Sequence, residues 1–121
     1  MQYIKIKKKY RYIDVEWSSK DMTFLGYFLT SDVKSDIEWW IDWANSNFEA
    51  QGNLCWLEKK EDMVFIGFLY DESEDTYKDA FKISTSEFVN LLTKWHEFTS
   101  KNIPEFMIMF EDGKIEFQEI N

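Results

Sequence analysis

Between two apolar runs, 106–110 and 114–118, stands the dipeptide Asp112-Gly113. A type I′ turn needs positive φ at both central residues, and Asp-Gly meets that need with little strain. The turn fixes a register: Glu111 opposite Lys114, Phe110 opposite Ile115, Ile108 opposite Phe117. The apolar pairs then share one face, and a slip of one residue would reverse every side chain. An apolar sheet face must be covered, and the preceding segment supplies a helix. Ser84 is its N-cap, Glu87 completes an S-x-x-E capping box, and Ile83 can staple onto Phe88. Phe88, Leu91, Leu92, Trp95 and Thr99 form the buried stripe, and Lys101, Asn102 and Pro104 stop the helix.

The rest of the chain follows the same grammar. Residues 2–9 and 10–17 read as extended, two pieces of one long strand bent by a bulge. Ile13, Val15 and Trp17 alternate with polar neighbours, the pattern of a half-buried strand. After a turn at Ser18-Ser19-Lys20-Asp21, the run 22–29 reads as another strand. Ser31 or Asp32 then caps a helix over 33–49, with Val33, Ile37, Trp40, Ile41, Ala44 and Phe48 on one face. The runs 54–58 and 63–70 form a hairpin turned at Lys59-Lys60-Glu61-Asp62. Both are apolar on two faces, so each side needs a cover. A short strand over 80–83 leads into the second helix. The order β-β-α-β-β-β-α-β-β predicts a single α+β domain over 1–121, with a mainly antiparallel sheet and two helices.

The chain has 121 residues, enough for one core and too few for two. One cysteine, Cys55, excludes a disulfide framework, and one histidine, His96, excludes a multi-histidine metal centre. Cys55 falls inside an apolar strand and reads as an inert small hydrophobe. His96 borders the second helix's stripe and reads as a boundary residue. Gly26, Gly52, Gly67 and Gly113 are isolated, so no phosphate loop is present; Gly26 and Gly67 lie within strand patterns and mark bulges or close packing. The acidic stretch 71–75 lacks the pattern of a calcium loop. No catalytic set, metal or cofactor is expected. No run approaches the roughly 20 apolar residues of a membrane span, and no leader peptide is seen at the N-terminus. The expected location is a reducing cytoplasm.

Function is therefore sought on the surface. The net charge is −9, unevenly spread: residues 1–20 hold six bases and two acids, residues 21–121 eight bases and 21 acids. A negative body repels phosphate and attracts cationic surfaces, so direct nucleic-acid binding is not expected. Lys5, Lys7, Lys8 and Lys9 read as guards along an edge strand. Aromatic residues make up 19% of the chain, which argues against disorder. Two candidate partner-binding surfaces emerge. One is a flank of the first helix holding Asp36, Trp39, Asp42 and Trp43, where tryptophan anchors and carboxylates select a basic partner. The other is the loop Asp71, Glu72, Glu74, Asp75.

A small, acidic α+β domain without a catalytic set, closing on FKISTSEFVNLLTKWHEF and FMIMFEDGKIEF, resembles the immunity proteins of bacterial polymorphic toxin systems, those of contact-dependent growth inhibition in particular. The resemblance implies a protein that binds and neutralises one cognate basic toxin domain, often a nuclease. It rests on general character and on about a third of the chain, and it carries over no functional residue. The competing expectation is a non-catalytic homo-oligomer whose surplus aromatic surface is self-contact.

Overall fold

The structure is a computed structural model that describes residues 1–33, 36–46, 50–71 and 76–120. Among the described residues it is an α+β domain with two antiparallel sheets in place of the expected one, and four α-helices in place of two. The first sheet has the order β2-β1-β7-β8, from β1 (Gln2–Lys8), β2 (Ile13–Trp17), β7 (Glu105–Glu111) and β8 (Lys114–Glu119). The second has the order β3-β4-β5-β6, from β3 (Ala50–Gln51), β4 (Cys55–Lys60), β5 (Met63–Phe68) and β6 (Phe81–Ser84). The helices are α1 (Lys20–Tyr27), α2 (Ile37–Ala44), α3 (Thr76–Asp79) and α4 (Thr85–Ser100).

Helix α1 touches β1 and β2 of one sheet and β5 and β6 of the other; α4 touches β8, β5 and β6; α2 packs on α4. One buried cluster therefore draws on both sheets, with Ile4, Ile6, Phe106 and Ile108 from the first and Leu57, Val64, Ile66 and Phe81 from the second. At one end the sheets meet directly, Phe81 against Phe110 with ring centroids 4.9 Å apart.

The C-terminal hairpin has the expected register, Glu111 opposite Lys114 and Ile108 opposite Phe117. Asp112 and Gly113 take φ of 53° and 76°. Helix α4 starts as expected, the Ser84 hydroxyl accepting from the Glu87 amide at 3.2 Å. The Glu87 carboxylate does not close the box. It accepts the Ile115 amide of β8 at 2.9 Å and so ties helix to hairpin. At the other end Asn102 adopts φ of 54°, and Ile103 and Asn102 donate to the carbonyls of Phe98 and Thr99. That is a Schellman stop.

Four expectations are corrected. Residues 2–17 form a hairpin, closed by the Lys9 amide on the Tyr12 carbonyl at 2.8 Å. This makes β1 an inner strand, so its lysines guard no edge; Lys5 faces Glu16, and Lys7 faces Asp14 and Glu105. Residues 22–29 are helical, because Met22, Leu25 and Leu29 recur at helical spacing and all three are fully buried. A short apolar run fits either period, and burial between two sheets decides for helix. The turns then widen into a π-helix over Phe28–Val33, and α2 begins only at Ile37, shorter than the expected 33–49. Phe48 of the expected stripe lies outside the described residues.

Asp32 caps a strand instead of a helix. Its carboxylate accepts the amides of Asn53, Leu54 and Cys55 at 2.8, 3.0 and 2.9 Å. Gly52 is required beside it, since a Cβ there would come within 2.4 Å of the Asp32 side chain.

Candidate functional site

Helix α2 turns one face to α4 and the core. Ile37, Trp40, Trp43 and Ala44 are buried, at i, i+3, i+6 and i+7. The buried face is rotated toward Trp43 relative to the expected stripe, leaving Ile41 only partly buried. Trp43 is 1% exposed and packs edge-on against Trp40 and Phe88, with centroids 5.9 and 5.8 Å away. Its expected place on a binding flank is thus corrected. At 100° per residue Trp43 lies only about 60° from Trp40, so a helix seated on α4 buries both.

Trp39 remains outside. It is 44% exposed and stands edge-on to Trp40 at 4.7 Å, so its inner edge is braced. Asp36 and Asp42 are exposed one turn before and after it. Between α2 and α4 opens a groove of about 360 Å³ lined by Asp36, Ile37, Glu38, Ile41, Thr93 and His96. The flank is anionic and carries one aromatic anchor.

The acidic loop divides differently. Asp71 lies 3.7 Å from the Lys20 ammonium, which also bonds Asp79 at 3.0 Å. The Asp79 hydrogen bond holds the Lys20 pKa above its usual value, with Asp71 adding to the effect. Lys20 thus joins α1 to α3 through Asp79 and holds Asp71 as well, a structural use of a residue expected to face a partner. Glu72, Glu74 and Asp75 lie outside the described residues. Asp71 is tied to α1 through Lys20, whereas Asp36, Trp39 and Asp42 ride on α2 above α4.

Cys55 is buried, its thiol 3.6 Å from the Phe24 carbonyl, and burial pushes its pKa well above the ordinary range, reinforced by Asp32. Ionisation to a nucleophilic thiolate is therefore opposed. His96 is exposed on α4. Among the described residues no cluster of three metal-ligating side chains forms, and no helix is long and apolar enough to cross a membrane.

Two features escaped the sequence reading. The second face of the β4–β5 hairpin is roofed by Tyr77 from α3, whose ring stands 5.3 Å from Trp56 and 6.1 Å from Phe65. Its hydroxyl bonds Glu58, and the Lys60 ammonium sits 4.2 Å from the ring centroid. No local signal placed Tyr77 there. The other is the β1–β2 hairpin, where Ile13 and Trp17 are exposed although the alternation set them on the buried side of a half-buried strand, and where Tyr10 and Tyr12 are exposed as well. Comparison with protein families, curated proteins and solved structures finds no match for this chain.

Proposed function

We propose that this protein is an immunity-type inhibitor that binds a cognate basic toxin domain in the cytoplasm, a nuclease in the first instance, and blocks it. The observation that carries this reading is the α2 flank, a half-exposed Trp39 braced on Trp40 between exposed Asp36 and Asp42. A nuclease must be cationic to hold phosphate, so carboxylates can occupy the positions that phosphates would take. The net charge of −9 steers such a partner toward the inhibitor and raises the association rate. Glu72, Glu74 and Asp75 add charge to this field.

The competing reading, a homo-oligomer, rests on the two-faced apolar runs 54–58 and 63–70. Tyr77 packs on the second face, which weakens the need for another chain there.

The test is a titration against the product of the neighbouring upstream reading frame at two salt concentrations. Trp39→Ala is expected to speed dissociation, since an anchor of this kind contributes about 2 kcal/mol or more. Asp36→Lys with Asp42→Lys is expected to slow association and flatten its salt dependence. No binding, or binding indifferent to salt and to both changes, would reject the reading.

A further inference from the structure

The two sheets offer four edges, and three are short or partly covered. The β3 edge is two residues long and the β6 edge four. Along β8, the Ile115 amide is taken by Glu87 of α4. Short length and covering are the usual protections of a sheet edge. Along the five-residue β2 edge no outward backbone group is covered among the described residues.

The direction of its backbone follows from the pairing. The Lys9 amide bonds the Tyr12 carbonyl at 2.8 Å, and the Ser18 amide bonds the Tyr3 carbonyl at 3.0 Å. Hydrogen-bonded pairs alternate along an antiparallel ladder, so Lys5 with Glu16 and Lys7 with Asp14 are the bonded pairs between them. The amides and carbonyls of Ile13, Val15 and Trp17 therefore point away from β1, to the open edge. Among the described residues none of these groups has a hydrogen-bond partner across that edge. The side chains repeat the message. Trp17 is 46% exposed, Ile13 38% and Tyr12 63%, so apolar and aromatic surface lines the edge that offers the free backbone.

We propose that β2 is a docking edge that takes an extended segment of a partner chain as an added antiparallel strand, a segment alternating basic and apolar residues. Asp14 and Glu16 alternate with Ile13, Val15 and Trp17 along β2. An incoming strand sets its side chains opposite these in the same alternation. Basic residues meet the two carboxylates, and apolar residues meet Ile13, Val15 and Trp17. A second copy of this chain fits worse. A two-fold pairing about Val15 would set Asp14 opposite Glu16 twice, and like charges directly opposite destabilise a pair. The proposal stands on the sheet edge alone and does not depend on the α2 flank.

The experiment uses the full chain and a synthetic seven-residue peptide alternating lysine and valine. A control peptide has the same sequence and charge but is N-methylated at alternate amides, which blocks strand pairing. The expected result is slowed hydrogen exchange at the amides of Ile13, Val15 and Trp17, with a shift in tryptophan emission. Binding should fall at least about tenfold with the methylated peptide, since main-chain hydrogen bonds supply much of the affinity in strand addition. Val15→Pro should weaken binding similarly, because it removes an edge-pointing amide and no bond to β1. Equal binding of both peptides, or protection that spares these three amides, would overturn the proposal whether or not the proline variant folds. So would a dimer, seen by sedimentation without peptide, in which the same three amides are already protected.

Discussion

Gly67 lies directly beneath the Trp56 indole, and a Cβ at that position would stand 2.1 Å from the ring. The strand accepts a glycine there because the cross-strand tryptophan lies flat over it and supplies the missing contact. Gly67→Ala would lift the indole off β5 and disturb its packing on Tyr77, at a cost of about 1–3 kcal/mol, the usual range for overpacking, measurable by denaturant unfolding. The two neighbouring tryptophans of α2 make a sharper pair. Trp43→Ala should cost about 3–5 kcal/mol, because it empties a fully packed site. Trp39→Ala should change stability by under about 1 kcal/mol, because its ring is half in solvent already. If the two variants unfold at the same denaturant concentration, the assignment of core and surface on α2 is wrong. Cys55 should resist maleimide in the native protein and react only on unfolding, because its thiol is buried and its ionisation is opposed.

Helix α4 shows how an element is bounded at both ends by side chains the chain itself provides. Asn102 holds a positive φ at its stop. Asn102→Gly should leave stability unchanged or slightly raised, and Asn102→Ala should lower it by about 1 kcal/mol, since a Cβ without a compensating side-chain bond disfavours that conformation. Thermal melts of the two variants give the ordering. In the last turn, the hydrogen bond from Lys101 at 3.1 Å holds the Glu97 carboxyl below its ordinary pKa, with Lys94 assisting. A carboxyl depressed in the folded state stabilises above its unfolded pKa, and that contribution is lost as pH falls through the depressed value. The pair is exposed to solvent, so its effect on stability is small. Lys101→Ala should raise the Glu97 pKa toward the ordinary carboxylate value in an NMR titration.

Across the whole molecule, two separate sheets share one buried cluster through the helices that touch both. Neither sheet has a core of its own, so the two should unfold together. Tryptophan emission and far-ultraviolet circular dichroism should give coincident transitions, as expected of a single cooperative unit. A resolved first transition confined to one sheet would contradict the shared core. The distribution of charge also takes its meaning at this scale. The N-terminal lysines look like a basic patch in sequence, yet pairing sets Lys5 beside Glu16 and Lys7 between Asp14 and Glu105. Two of the basic residues thus face carboxylates within their own sheet, and Lys8 donates to the Thr99 carbonyl at 3.3 Å.

What the sequence by itself determined is local and short-ranged. The Asp112-Gly113 turn, its register, the Ser84 cap and the Asn102 stop follow from φ preferences and from hydrogen bonds that close within a few residues. Of the candidate surface, Asp36, Trp39 and Asp42 were legible, because helical spacing sets them outside the apolar stripe. Tertiary structure decided the rest, because each remaining question turned on what lies opposite. Whether 22–29 would be strand or helix depended on the two sheets that enclose it. Whether Trp43 would face solvent depended on the seat of α2 on α4. Asp71 was claimed by Lys20, about fifty residues earlier in the chain. The apolar side chains of β2 stayed at an open edge because the chain turned back at Lys9 and set β2 outside β1. Periodicity reports which residues share a face; only the assembled fold supplies, or withholds, the surface that covers it.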